Sequence, residues 1–230
     1  MYELYYWSEI QGRGEFVRLV LEDVGQRYVD IGRDQGDDAV AEALDGVLAP
    51  YAFAPPVLRA GNVVISQTAL ITRWLGEKHG LAPASESGQL HAAMIAMTIA
   101  DLVAEIHDTH HPINVGETYE KQKAPARDRS RVFRQLRIPK FLGYLERILE
   151  QSGDYLCGTP SYADLAAFEV LDGLTYAFPH TVHRQHIPRL RKLHERIAKR
   201  PGIAAYITSD RRLPYSESDI FRHYPELEAA

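Results

Sequence analysis

Pro55-Pro56-Val57-Leu58-Arg59-Ala60-Gly61-Asn62-Val63-Val64-Ile65-Ser66-Gln67-Thr68-Ala69-Leu70-Ile71-Thr72-Arg73-Trp74-Leu75-Gly76-Glu77-Lys78-His79-Gly80 encodes a proline turn, two short strands and a helix. Ala60-Gly61-Asn62 lies between two apolar runs, which predicts a hairpin. Ser66 is a good N-cap for the helix that follows. Ile71, Trp74 and Leu75 fall at i, i+3 and i+4, Lys78 and His79 occupy the last turn, and Gly80 ends it. An X-Pro bond beside a strand is a candidate cis bond. A helix start also offers free N–H groups and a partial positive charge, which suit a carboxylate, and Gln67 and Thr68 add side-chain donors there. A plain capping sequence reads the same way.

Upstream, Tyr2 to Trp7 is strand-like. Arg13 to Val24 carries Phe16, Val17, Leu19, Val20 and Leu21 at helical spacing before Gly25, and Tyr28 to Ile31 is a second strand. The order β-α-β then β-β-α predicts a small α/β unit with a mixed sheet. A short helix is expected over Asp37 to Leu44. Leu81 to Gln89 is small and polar, and beyond it every periodic segment is helical: Leu90 to His111, Asp128 to Gln151 with a kink at Pro139, Ser161 to Tyr176, and Ile187 to Arg200. An α/β unit followed by an all-α unit is the expected architecture.

The 230 residues are 45% hydrophobic and carry a formal net charge of −5, which gives no electrostatic reason to expect nucleic acid or an anionic membrane as partner. No apolar run is expected to reach the roughly 20 residues that span a bilayer. Cys157 is the single cysteine, which rules out an internal disulfide and any zinc site with two thiolates. Met1 to Gly12 lacks the basic start and apolar stretch of a secretory signal, so a cytoplasmic location is expected.

In this order and spacing the segments resemble the cytosolic glutathione transferases. Ser66-Gln67-Thr68-Ala69-Leu70-Ile71 through Leu75 and Gly80-Leu81 is similar to the family's Gln-Ser-x-x-Ile-x-x-x-Leu…Gly-Leu pattern. Gly12-Arg13-Gly14 with Phe16 to Glu22 resembles the first helix of the mu, pi and sigma classes. Tyr155-Leu156-Cys157-Gly158 and Ser161-Tyr162-Ala163-Asp164 resemble the family's folding motif. The resemblance implies a thioredoxin-like glutathione-binding domain over residues 1–81, a linker over 82–89, and a helical domain over 90–230 that carries the electrophile site. It also implies a homodimer in detoxification, with glutathione as co-substrate. The expected activity is activation of its thiol for attack on small hydrophobic electrophiles.

By that resemblance Tyr6 is the donor to the thiol, with Trp7 and Ser8 as alternatives because the stretch from Tyr6 to Arg13 is one residue longer than the family pattern. Trp7, Arg13, Pro55, Pro56, Gln67, Thr68 and Asp101 are the expected glutathione contacts, Asp101 reaching a neighbouring subunit. Gln35 to Leu58 contains no Lys, Arg, His or Trp for the glycyl carboxylate, which leaves Arg13, then Arg33. Pro55 has no N–H to offer the cysteinyl unit. Ile10, Ala104, His107, Asp108 and His111 are expected to line the electrophile site. His107 and His111 alone lack a third ligand, so no metal is expected. A non-catalytic module of the same fold, or a peroxidase or isomerase using the same thiolate, remains an alternative. A mixed-disulfide oxidoreductase would need a cysteine near the first strand.

Overall fold

In the computed structural model, which describes residues 1–229, strand β1 (Tyr2–Tyr5) pairs in parallel with β2 (Tyr28–Asp30), Tyr2 opposite Tyr28. Helix α1 (Gly12–Asp23) makes the crossover that a parallel pair requires. On its other side β1 runs antiparallel to β3 (Val57–Ala60), which turns through Gly61 into β4 (Val63–Ser66), giving the order β2-β1-β3-β4. Gly61 has a φ of 63°, the left-handed conformation that glycine adopts without steric cost.

Successive β1 side chains point to opposite faces, and both faces are covered. Leu4 joins Leu58 and the apolar stripe of α1 in the main core, while Tyr5 packs with Ile31, Val40, Leu48 and Val57 in a smaller one. The second core is roofed by α2 (Ile31–Gln35) and α3 (Asp37–Asp45). The sequence reading missed α2, because Ile31 there looks like the end of a strand. Helix α4 (Thr68–His79) begins two residues after Ser66. Ser66 belongs to β4 and donates its hydroxyl to the Tyr51 carbonyl at 2.8 Å, so it is not the cap.

The helical half starts at α5 (Glu86–His107), where the Ser85 hydroxyl accepts from the Gly88 N–H. This helix begins four residues before the apolar periodicity at Leu90. Its 22 residues, with a mean hydropathy of 1.3 over an 18-residue window, are long and apolar enough to cross a membrane by length and composition, contrary to the expectation from the sequence. The apolar residues divide into two stripes. Ala92, Ile95, Ile99, Leu102 and Ile106 are buried in the core, while Leu90, Met94 and Met97 are exposed.

A 3-10 turn (Tyr119–Gln122) leads into α6 (Lys123–Val132), a π-helical turn (Phe133–Arg137) and α7 (Ile138–Ser152). The π turn re-phases the chain just before Pro139, so the proline starts a helix instead of kinking one. Helix α8 (Tyr162–Ala177) is buried on nearly every side, as its hydrophobicity all round requires. Short helices α9 (Pro179–His183), α10 (Pro188–Ala198), α11 (Pro201–Ile207) and α12 (Pro225–Ala229) complete the chain. At the start of α8, Asp164 accepts from the N–H groups of Leu156 and Ser161, each at 2.8 Å, which fixes the Leu156–Ser161 loop.

The two halves are joined by specific contacts. The Tyr162 N–H donates to the Leu81 carbonyl at 2.9 Å. Gly76 admits the Tyr162 ring, since a Cβ there would lie 2.5 Å from it. Arg200 grips Asp23 through two bonds of 2.6 and 2.7 Å.

Candidate active site

Tyr6 follows directly after β1 and is 4% exposed. Its ring lies beneath the start of α1, where a Cβ on Gly12 would come 2.1 Å from the hydroxyl and one on Gly14 would come 2.6 Å from the ring. Gly12 and Gly14 therefore leave room for this tyrosine. The hydroxyl accepts from the Arg13 N–H at 2.7 Å, which leaves its proton free to donate. Burial pushes the phenol up to about 12 against the pull of the Arg13 N–H, so it stays protonated at neutral pH. Trp7 is half-buried and touches both cores. The Ser8 N–H donates to Asp37 at 2.7 Å, tying this loop to α3.

The Pro55–Pro56 bond is cis. Gln67 is exposed with a φ of 75°, the one non-glycine residue in the left-handed region among those described. Such a backbone is found where surrounding structure holds a functional site in place. Thr68 opens α4, and its hydroxyl is buried with no hydrogen-bond partner among the described residues. It borders a cavity of about 210 Å³ between the two halves.

Arg13 and Phe16 of α1, the N-cap Gln67, Thr68, Ala69 and Thr72 of α4, Ala96, Ile99, Ala100 and Val103 along one face of α5, and Ala166 of α8 line this cavity. Of the residues expected at the site, Arg13, Gln67 and Thr68 meet there. Tyr6 lies behind Arg13 and does not line the cavity. Pro55 is half-buried and Pro56 buried at the end of the loop before β3. Asp101 is exposed and faces a different groove, of about 400 Å³, with Met94, Met97, Phe141 and Tyr144.

The five residues expected at the electrophile site are not brought into the cavity. Ile10 packs on the main core. Ala104 is exposed, and Asp108 pairs with Arg129 at 3.6 Å. His107 stands one turn past Val103, with its ring 5.2 Å from that of His111. Burial lowers the His107 imidazole to about 4 and that of His110, absent from the expected set, to about 2. The residues that do line the cavity repeat at three to four along α5, a spacing also read from the sequence, but no signal indicates which stripe of an all-apolar helix faces the cleft.

Other contacts had no sequence signal. Asp219 is buried and accepts from the N–H groups of Gln11 at 3.0 Å and Gly12 at 2.9 Å. Under α1, Arg18 bonds Asp30 at 2.7 Å, and Tyr206 donates to the fully buried Glu15 at 3.0 Å. Arg212 bridges Glu169 at 3.1 Å and Asp172 at 2.8 Å, while burial holds Glu169 far above the usual carboxylate range. Arg33 pairs with Asp30 at 3.6 Å and donates to the Arg211 carbonyl. Cys157 is half-buried, and burial raises its thiol to about 11.

Three comparisons bear on this arrangement. Residues 107–210 match the family model described as glutathione S-transferase, C-terminal domain. A glutathione S-transferase of Plasmodium falciparum (isolate 3D7) is 26% identical over 221 residues, covering 91% of this chain and 97% of the relative. Glutathione S-transferase P 10 of Caenorhabditis elegans is 29% identical over 208 residues, covering 89% and 90%. The solved Pi-class glutathione S-transferase of Onchocerca volvulus aligns with a TM-score of 0.70 at 25% identity, covering 90% of this chain and 91% of that one. The mixed four-stranded sheet, the helical second half and this coverage of both support placing the chain with the cytosolic glutathione S-transferases, which it resembles along nearly its whole length.

Proposed function

We propose that this protein binds glutathione in the cleft between its halves and activates the thiol for attack on small hydrophobic electrophiles. The observation that carries the reading is the unpartnered, buried Thr68 hydroxyl at the start of α4, beside Gln67 and Arg13 in one cavity. A hydroxyl without a partner costs about 1–3 kcal/mol. A ligand carboxylate would supply the missing bond, and the helix N-terminus and Arg13 favour the same charge. The γ-glutamyl group of glutathione offers such a carboxylate.

A free thiol has a pKa of about 8.5, so activation requires stabilising the thiolate. Tyr6 is suited to that. Its hydroxyl is held by the Arg13 N–H, its proton remains available, and its raised pKa keeps it a donor instead of a competing anion. Trp7 and Ser8 are less suited, the first packed between two cores and the second anchored through its backbone to Asp37.

We also propose that the enzyme works as a cytoplasmic homodimer in detoxification. Phe53 is 95% exposed on the loop before the cis proline, and Met94 and Met97 are exposed beside an apolar groove on another face. Exposed apolar surface of this kind suits a partner, and two-fold symmetry would use each surface twice.

A second reading, binding without catalysis, is favoured by one observation. Arg33, the second candidate after Arg13 for the glycyl carboxylate, is already engaged by Asp30 and the Arg211 carbonyl. Glutathione titration followed by thiolate absorbance separates the readings. Binding with thiolate formation in wild type, and loss of thiolate in Tyr6→Phe, supports catalysis; binding without thiolate supports the second reading. Absence of binding sinks both.

A further inference from the structure

At the end of α5, His110 joins the pair of imidazoles, His107 and His111, that the sequence spacing already brings together. One ring nitrogen from each of His107, His110 and His111 lies within 4.8 Å of the other two. His110 and His111 are buried, and their Nδ1 atoms are 2.5 Å apart. His110 Nε2 lies 2.9 Å from the Ile220 carbonyl. A carbonyl only accepts, so Nε2 carries the proton and the His110 Nδ1 lone pair is turned toward His111. A ligating histidine is commonly oriented in this way, its remote N–H held by a backbone carbonyl.

We propose that His107, His110 and His111 form a binding site for a late first-row divalent cation such as Zn²⁺. Imidazole nitrogens suit Zn²⁺, Cu²⁺ and Ni²⁺, whereas Mg²⁺ and Ca²⁺ require oxygen ligands. A Zn–N bond of about 2.0–2.1 Å places tetrahedral ligands about 3.4 Å apart, within reach of small ring rotations from the present spacing. Three histidines leave a fourth position for water or a ligand. The ion would enter through the groove of about 390 Å³ that His111 lines with Glu117, Tyr119 and Arg222.

Two features define the site's character. Arg222 and Arg13 are close enough for their charge to act on these rings, so both oppose a bound cation. The His110–Ile220 bond also ties the cluster to the C-terminal segment, so an ion bound here would hold that segment against α5.

Calorimetric titration of the chelator-treated, full-length protein with Zn²⁺ tests this, with Mg²⁺ as comparison. The expected result is one Zn²⁺ per chain and no Mg²⁺ uptake. His107→Gln, at a half-exposed position that leaves the fold intact, should weaken Zn²⁺ binding at least tenfold. Arg222→Gln should tighten it, and His186→Gln, an exposed histidine elsewhere, should leave it unchanged. Saturating Zn²⁺ should raise the Tm of wild type by several degrees, but not that of His107→Gln. Absence of saturable binding, or equal affinity in wild type and His107→Gln, overturns the proposal.

Discussion

The carboxylate of Asp219 closes on the backbone N–H of Gly12 at 2.9 Å, across 207 residues of chain. With its second oxygen on the Gln11 N–H, it satisfies two of the free donors at the start of α1. The Arg13 N–H that holds Tyr6 comes next. Asp219→Ala should cost about 2–4 kcal/mol in urea unfolding, because the lost bonds are buried and charge-assisted. It should also raise the KM for glutathione. Unchanged values of both would show that α1 starts correctly without the tail.

Thr68 gives a prediction in which stability and function move in opposite directions. Thr68→Val keeps the shape of the side chain and removes a hydroxyl that has no partner in the protein. Unfolding free energy should be unchanged or higher by about 1 kcal/mol, while glutathione affinity falls about tenfold. Equal glutathione affinity in the variant would mean that the hydroxyl meets no ligand.

Cys157 is expected to react slowly. Its thiol is raised to about 11, first by burial and then by Asp164. Raising a thiol pKa depletes the thiolate at any pH below it. Labelling at pH 8 should therefore be about a hundredfold slower than for an ordinary cysteine, and should accelerate about tenfold per pH unit toward pH 11. A rate at pH 8 matching free cysteine would contradict the burial seen at this position.

Phe53 is the residue to change if the oligomeric state is in question. Phe53→Ser removes apolar surface that is 95% exposed in the single chain, so a structural cost to the monomer should be within about 0.5 kcal/mol. Light scattering should show wild type as a dimer and the variant shifted toward monomer. A variant dimer as tight as wild type would assign the contact to other surfaces.

Much of the fold was legible because the relevant signals are local. The hairpin turn at Gly61, the Gly80 stop and the apolar spacing of α1 and α4 each act within a few residues. Gly12 and Gly14 were readable only as part of a motif. Their physical reason, the ring of Tyr6 beneath them, appears only in three dimensions. Ser66 misled because a strand ends and a helix begins within two residues, and its hydroxyl serves the loop at Tyr51 instead. Arg212 with Glu169, and Asp219 with Gly12, are pairings across the chain that a single sequence does not encode in any local pattern. His110 has no such signal either: helical spacing pairs His107 with His111, as observed, and the turn after His107 that brings His110 beside them carries no local pattern.

The bond between Asp219 and Gly12 also bears on synthesis. The strands and helices of the first half leave the ribosome before the helical half and can assemble as a unit, yet the N–H groups at the head of α1 wait for a partner made 207 residues later. A growing chain would thus have the α/β scaffold in place well before Tyr6 and Arg13 are finally set. The proposed activation of a reactive thiol would then begin only once Asp219 has been made and has docked on the head of α1.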